Sequence, residues 1–146
     1  MSDVEPGDSL GEAFGAVARR LRVASMAALA QHDVTPSQVR AIRVLAAHGG
    51  VRSKELAEHL KIAPRSATEV VDALEEKGLV ARSPDPDDRR AVVVSLTDRG
   101  HALAEQVRRT RGVESERIFD RLSQTDRDHL ARILRRLQDQ DPSGRS

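Results

Sequence analysis

The sequence predicts a mainly α-helical protein that carries one small β-hairpin. Three observations lead to it. Apolar residues recur at three- and four-residue steps over most of the chain. Several of these runs open on Ser or Thr, and two have proline at their first helical position. One stretch, residues 79–96, alternates with a period of two and is interrupted by a proline-rich turn.

Taken in order, residues 1–8 are polar, contain Pro6 and Gly7, and are expected to be disordered. Ser9 with Glu12 has the spacing of a capping box. The helix that follows should run to about Gln31, with Leu10, Phe14, Val17, Ala18, Leu21 and Met26 on one face. Thr35-Pro36-Ser37-Gln38 is a second start: cap, proline, and Gln at the third position. Its helix carries Val39, Ile42, Val44, Leu45 and Ala46 and stops at Gly49-Gly50. Val51-Arg52 is short and extended, and suits a third strand.

Ser53 is expected to cap a helix ending near Leu60, with Leu56, Ala57 and Leu60 on its apolar face. Lys61-Ile62-Ala63 forms the turn, with Ile62 as its buried plug. Pro64 opens the next helix. Ala63, Ala67, Val70, Val71 and Leu74 share its inner face, and Arg65, Ser66, Glu69 and Asp72 its outer face. Gly78 supplies a left-handed cap. Leu79–Ser83 and Ala91–Leu96 are the hairpin strands. Pro84-Asp85-Pro86-Asp87-Asp88-Arg89-Arg90 joins them as a stiff, charged loop. Thr97 caps a long helix to about Leu122. Its charged middle, Arg108–Arg117, has no clean apolar face and suggests a kink or an exposed span. Ser123 caps a last helix with Leu130, Ile133, Leu134 and Leu137. Residues 141–146 are a loose tail.

Two short helices across a tight turn, followed at once by a hairpin, make a winged helix-turn-helix head, a shape that reads duplex DNA. Its second helix has a core face and a short polar face, which suits a major groove. Arginines at a stiff hairpin tip suit a minor groove. The head spans residues 35–96. Residues 9–34 and 97–140 form a second, helical region. Its amphipathic helices have no obvious place on so small a head, so they are expected to pair with a second copy in a two-fold dimer.

Composition narrows the class. The chain has 146 residues, 38% hydrophobic and 32% charged, with a formal net charge of +1. No apolar run approaches the roughly 20 residues of a membrane span, and the acidic N-terminus has no signal-peptide core. A cytoplasmic protein is expected. There is no cysteine, which excludes a disulfide framework, a thiol sensor and a thiolate metal site. The five histidines, His32, His48, His59, His101 and His129, have no metal-ligand spacing. Asp85, Asp87 and Asp88 lack the later Gly and Glu of a calcium loop. No phosphate-binding glycine loop or nucleophile–base pair is present, so neither a cofactor nor a catalytic residue is expected. Phe14 and Phe119 are the only aromatics, which argues against stacking on single strands.

Between Arg52 and Arg90 there are eight Lys and Arg against nine Asp and Glu. A DNA-binding field must then come from placement, with Arg52, Lys54, Lys61, Arg65, Arg89 and Arg90 on one surface. The near-neutral head also leaves an alternative: a winged helix that binds protein as an adaptor.

The sequence resembles the MarR family, the multiple-antibiotic-resistance type of bacterial regulator. The wing carries the family pattern as Asp88, Arg90, Ala91, Val94, Leu96 and Thr97. Leu74-Glu75, Gly78-Leu79-Val80 and Arg82 match the helix-to-wing junction, and Leu56-Ala57 with Leu60 the first helix of the head. The likeness runs from about Leu10 to Leu137. It implies a dimeric transcription regulator, a repressor, on a pseudo-palindromic operator. It further implies a small phenolic or anionic effector near the arginines of the first two helices (Arg19, Arg20, Arg22, Arg40, Arg43). The candidate DNA-contacting residues are Ser53, Lys54, Lys61, Arg65, Ser66, Thr68, Glu69, Asp88, Arg89 and Arg90. Arg65, Ser66, Thr68 and Glu69 would face the major groove. Arg90 would enter the minor groove with its guanidinium held by Asp88. One departure stands out: Glu69 follows Thr68 where many members carry Arg. A carboxylate there suits a cytosine amino group.

Overall fold

The computed structural model describes residues 9–139; the expectations for residues 1–8 and 141–146 lie outside them. The order is α1 (Leu10–Leu29), a 3-10 turn (Ala30–His32), α2 (Pro36–His48), β1 (Val51–Arg52), α3 (Ser53–Leu60), α4 (Pro64–Glu76), β2 (Val80–Pro84), β3 (Val92–Leu96), α5 (Asp98–Phe119) and α6 (Gln124–Gln138). The three strands form one antiparallel sheet with β3 in the middle, flanked by β1 and β2.

Local chemistry explains the boundaries. The Ser9 hydroxyl accepts from the Glu12 N–H at 3.1 Å. At α2 the capping box is complete: Thr35 Oγ1 accepts from the Gln38 N–H, and Gln38 Oε1 from the Thr35 N–H, both at 3.2 Å. The end of α4 is closed by two crossed bonds. The Leu79 N–H reaches the Leu74 carbonyl and the Gly78 N–H the Glu75 carbonyl, with Gly78 at φ 74°. The end of α3 repeats this pattern with a lysine. Lys61 sits at φ 55°, and Ile62 N–H bonds the Ala57 carbonyl.

Several expectations shift. Ser53 is not the cap of α3 but its first residue; Arg52 holds the extended cap position, with no side-chain capping bond. Ala63 is exposed and caps α4 instead of lining its inner face. Ile62 is half-buried. Leu79 and Ala91 fall outside the strands, because Leu79 is used by the α4 cap and Ala91 by the wing turn. α5 ends at Phe119, three residues early; the Leu122 N–H turns back to the Phe119 carbonyl.

One core joins the elements. Val39, Ile42 and Leu45 of α2, Leu56 and Leu60 of α3, Val71 and Leu74 of α4, and Val94 of β3 are buried together. Leu29 of α1 and Leu103 and Val107 of α5 belong to the same cluster. The helical region and the head therefore share a core among the described residues. Leu10, Phe14 and Val17, expected on an apolar face, are exposed, and only the end of α1 is buried. No residue of α6 is buried. The second half of α5 is an uninterrupted helix with no fully buried residue beyond Val107, so the charged middle is unkinked and alternates between exposed and half-buried pairs of residues.

The start of α5 is knotted to the base of the wing. Thr97 Oγ1 donates to the Gly78 carbonyl at 2.6 Å and accepts from the Gly100 N–H at 3.1 Å. Its own N–H bonds the Leu79 carbonyl. A Cβ on Gly100 would lie 2.0 Å from that same Leu79 oxygen. Backbone cannot yield there without breaking the knot. Gly100→Ala is expected to destabilise the fold by about 3 kcal/mol, the upper end for overpacking. A urea melt checks this; an unchanged midpoint would refute it.

Candidate nucleic-acid interface

The first turn of α4 projects from the head. Arg65, Ser66, Thr68 and Glu69 are all exposed. Ala63 offers no side-chain acceptor to this turn, so its leading N–H groups remain open to an anion. Arg65 Nε lies 4.0 Å from Glu69 Oε1, with both side chains mostly in solvent. Such a contact adds little stability. Thr68 Oγ1 donates to the Pro64 carbonyl at 3.1 Å, so its hydroxyl proton is already used. Lys54 and Lys61 are exposed on α3 and at its end, and Ser53 is half-buried.

The wing tip is a hydrogen-bonded turn. The Ala91 N–H donates to the Asp88 carbonyl, and the Asp85 N–H to the Ala91 carbonyl, each at 3.0 Å. Asp88 Oδ1 accepts from the backbone N–H of Arg90 at 3.0 Å. The sequence reading gave this carboxylate to the Arg90 guanidinium; it holds the backbone instead. A short side chain two residues upstream reaches a main-chain N–H more readily than the end of a long arginine. Arg89 and Arg90 occupy the two central positions of the turn and are both exposed.

Three head cations are engaged by neighbouring groups at the surface. The Arg52 guanidinium contacts Asp85 Oδ2 through Nε at 2.8 Å and Nη2 at 2.6 Å. Arg82 bridges Asp72 at 2.5 Å and Glu75 at 3.0 Å, joining β2 to α4. Lys77 Nζ donates to the Asp33 carbonyl and, at 2.9 Å, to Gln38 Oε1, joining α4 to α2. Asp85 Oδ1 also accepts the Asp87 N–H at 2.9 Å. That bond first, and Arg52 second, hold its carboxyl below the usual range. The tie is therefore complete above the ordinary carboxylate pKa near 4 and is lost as pH falls through the lowered folded value. Hydrogen bonds donated to Asp85 and Asp72 raise the pKa of Arg52 and Arg82 respectively.

Ion pairing leaves the head near-neutral but separates engaged cations from free ones. Arg52 and Arg82 pair with Asp72, Glu75 and Asp85, while Lys54, Lys61, Arg65, Arg89 and Arg90 stay exposed beside the carboxylates of Glu55, Glu58, Glu69, Glu76, Asp87 and Asp88. Arg52 stays at the surface, 41% exposed, but is paired and not free. The pairs are not legible in the sequence because their partners are distant along the chain. Only the three-residue spacing of Asp72 and Glu75, which puts both on one helix stripe, signalled a shared cation.

Beside the head, α2 and α5 enclose a cleft of about 520 Å³. Arg43, Ala46, Ala47, Ala104, Val107 and Arg111 line it. Burial, and then the charge of Arg43, push the pKa of Arg111 down. Arg40, expected near such a cleft, is occupied: its Nη2 donates to the Leu60 carbonyl at 2.7 Å. Among the described residues no cluster of three or more His, Cys, Asp or Glu could hold a metal ion, and no helix is long and apolar enough to cross a membrane.

A helix-turn-helix with an open second helix, followed by a wing with two arginines at its tip, defines a winged helix-turn-helix protein of the DNA-binding regulator class. Comparison with known proteins makes this specific. Residues 34–92 match the model of the MarR family. The HTH-type transcriptional repressor MdtR of Bacillus subtilis is 30% identical over 122 residues, covering 84% of this chain and 79% of that one. The crystal structure of RV1404 from Mycobacterium tuberculosis superposes with a TM-score of 0.80 at 30% identity, over 97% of this chain and 99% of that one. The Mycobacterium tuberculosis MarR family protein RV2887, solved in complex with salicylic acid, gives a TM-score of 0.73 at 30% identity, over 90% and 98%. The chain belongs to the MarR family of transcriptional regulators.

Proposed function

We propose that this chain is a cytoplasmic, homodimeric repressor that binds a pseudo-palindromic operator and is released by a small organic anion. The observation that carries the reading is the sorting of cations in the head: Arg52 and Arg82 are held by carboxylates, whereas Lys54, Lys61, Arg89 and Arg90 stand exposed without an ion pair among the described residues and Arg65 makes only a 4.0 Å contact to Glu69. Ser53, Lys54, Lys61, Arg65, Ser66, Thr68 and Glu69 are the proposed contacts around the major groove. Arg89 and Arg90 are the proposed wing contacts, with Asp88 shaping their turn. The adaptor alternative rested on the near-neutral count alone, and the relatives, among them the transcriptional repressor MdtR, lend it no support. No catalytic role is proposed for any residue.

Salt dependence tests the reading. Five exposed cations per protomer, doubled in a dimer, set an upper bound near ten phosphate contacts. The slope of log affinity against log salt should then lie between about −5 and −9 on a duplex from the region upstream of its own gene. Weak binding with a flat response at every salt concentration would remove the proposal.

The effector is proposed to enter the cleft between α2 and α5. Its support is the salicylic acid complex of RV2887 and two arginines, Arg43 and Arg111, over alanine and valine walls, the one carboxylate of the lining, Glu105, being paired with Arg108. An aromatic carboxylate matches that lining. Salicylate is expected to lower operator affinity by about 10- to 100-fold, a coupling of roughly 1–3 kcal/mol. Arg43→Ala should abolish the response while leaving DNA binding without salicylate intact. A titration in which the variant and parent respond alike would move the effector elsewhere.

A further inference from the structure

We infer that Arg52 and Asp85 are positioning residues for DNA binding: the Arg52 guanidinium, gripping Asp85 across the central strand, sets where the Arg89-Arg90 turn stands relative to α3 and α4. The inference rests on the operator-binding reading and adds to it the device that aims the wing.

The geometry is specific. Arg52 lies on the edge strand β1 and pairs with Val93 of β3. Asp85 follows β2, on the opposite side of β3. The guanidinium therefore spans the sheet to reach the wing. It does so with two of its nitrogens on a single oxygen, Oδ2, at 2.6 and 2.8 Å. The other oxygen, Oδ1, is bound to the Asp87 N–H. One carboxylate thus joins the far edge of the sheet to the wing loop. The Asp85 side chain is only 12% exposed. Its own N–H continues the chain of bonds to Ala91, and Ala91 closes the turn on Asp88. The other end of the device is equally fixed. Arg52 occupies the cap position of α3, so its backbone orientation is that of the reading head. Two rigid elements, the head and the tip, are connected through one ion pair.

Without that pair the hairpin keeps its ladder but the loop beyond Pro84 loses its only cross-sheet side-chain ion pair among the described residues. An arginine that must reach a groove is sensitive to such freedom, because ordering it again costs entropy at binding. Arg52 acts through the tip, so its removal cannot cost more than the tip contributes. It should also cost nothing once the tip arginines are gone. A cation that touched phosphate directly would behave otherwise: its loss would persist in any background.

The test is a double-mutant cycle on operator affinity in the full-length protein. Arg52→Ala and Asp85→Asn are each expected to weaken binding about five- to tenfold, within the range of a single wing arginine. Asp85→Asn does so although it removes a negative charge. In an Arg89→Ala/Arg90→Ala background both losses should shrink to less than about twofold. Arg52→Lys, which keeps the charge but not the forked donor, should recover only part of the affinity. Hydrogen exchange without DNA gives an independent readout: the Asp87 and Ala91 amides should exchange faster in Arg52→Ala while α4 amides keep their protection. Parent-like affinity in Arg52→Ala overturns the inference. So does a loss that persists without the tip arginines, or faster exchange throughout α4, which would mean a general loss of fold. If the parent protein fails to bind duplex at any salt concentration, the operator reading fails first and this inference with it. Parent binding with an additive cycle defeats the positioning role alone.

Discussion

Truncation at Ser123, which removes α6, is expected to convert the protein from a dimer to monomer or aggregate and to abolish operator binding. The reasoning starts from exposed surface. Leu10 is 90% exposed, Phe14 60%, Leu137 66% and Ile133 48%. These residues lie on α1 and α6, and Phe14, Leu134 and Leu137 border one shallow depression. Apolar surface in such concentration at one end of a molecule marks an interaction site. Each large side chain returned to an apolar contact contributes about 1.5–3 kcal/mol, and two-fold symmetry counts every contact twice. A stable dimer also needs roughly 1,200–2,000 Å² of total buried area, which two helices per protomer can supply. Operator binding depends on this pairing because two recognition helices must meet half-sites one helical turn apart. A single head loses the second set of contacts and the effective concentration that links them. Sedimentation velocity at micromolar concentration decides the matter. An intact protein that sediments as a monomer contradicts the prediction. A milder variant, Leu137→Glu, should weaken association without truncating the chain.

Arg90→Ala is expected to weaken operator binding by about 1–3 kcal/mol and to lower the salt slope by about one unit. Arg90 is exposed at a central position of the wing turn, and no ion pair is drawn to it among the described residues. A narrow, A·T-rich minor groove attracts such a charge. Asp88 supplies a sharper comparison. Its carboxylate accepts the Arg90 backbone N–H, and its carbonyl accepts Ala91. Asp88→Ala removes a negative charge from the DNA side, which favours binding, but also removes the side-chain acceptor that shapes the turn. The loss of the turn is expected to win, so Asp88→Ala should bind more weakly. Asp88→Asn keeps an acceptor in the same place without the charge. It should bind as well as the parent or better. Fluorescence anisotropy on operator duplex reads all three. Tighter binding by Asp88→Ala than by the parent would mean that the turn does not depend on this side chain.

Much of the head was legible because its signals are local. Pro64 at the start of α4, Gly78 at its end and the Thr35 capping box act within five residues, where spacing maps directly onto geometry. Period-two alternation likewise exposed the hairpin, and its register placed Val51 against Val94 once the strands had met. Caps moved by one residue where the competing signal was subtle. Ser53 looks like a cap, but the β1 pairing extends Arg52 and leaves Ser53 as the first helical residue.

The candidate contacts on α4 and the wing were visible for the same reason, since exposure follows from helix and hairpin periodicity. What each charge does was not visible. Arg52, Arg82 and Arg90 are the same residue type in one near-neutral head, yet two are tied to carboxylates and one stands free at the tip. The difference arises because β1, β3 and β2 align in space, bringing Arg52 to Asp85, 33 residues away, and because α4 lies against β2. Sequence by itself determined the elements, the apolar faces and the family. Only the tertiary structure decided which charges cancel, which remain for a ligand, and which apolar faces stay uncovered, because Coulomb and hydrophobic contacts depend on distance in space.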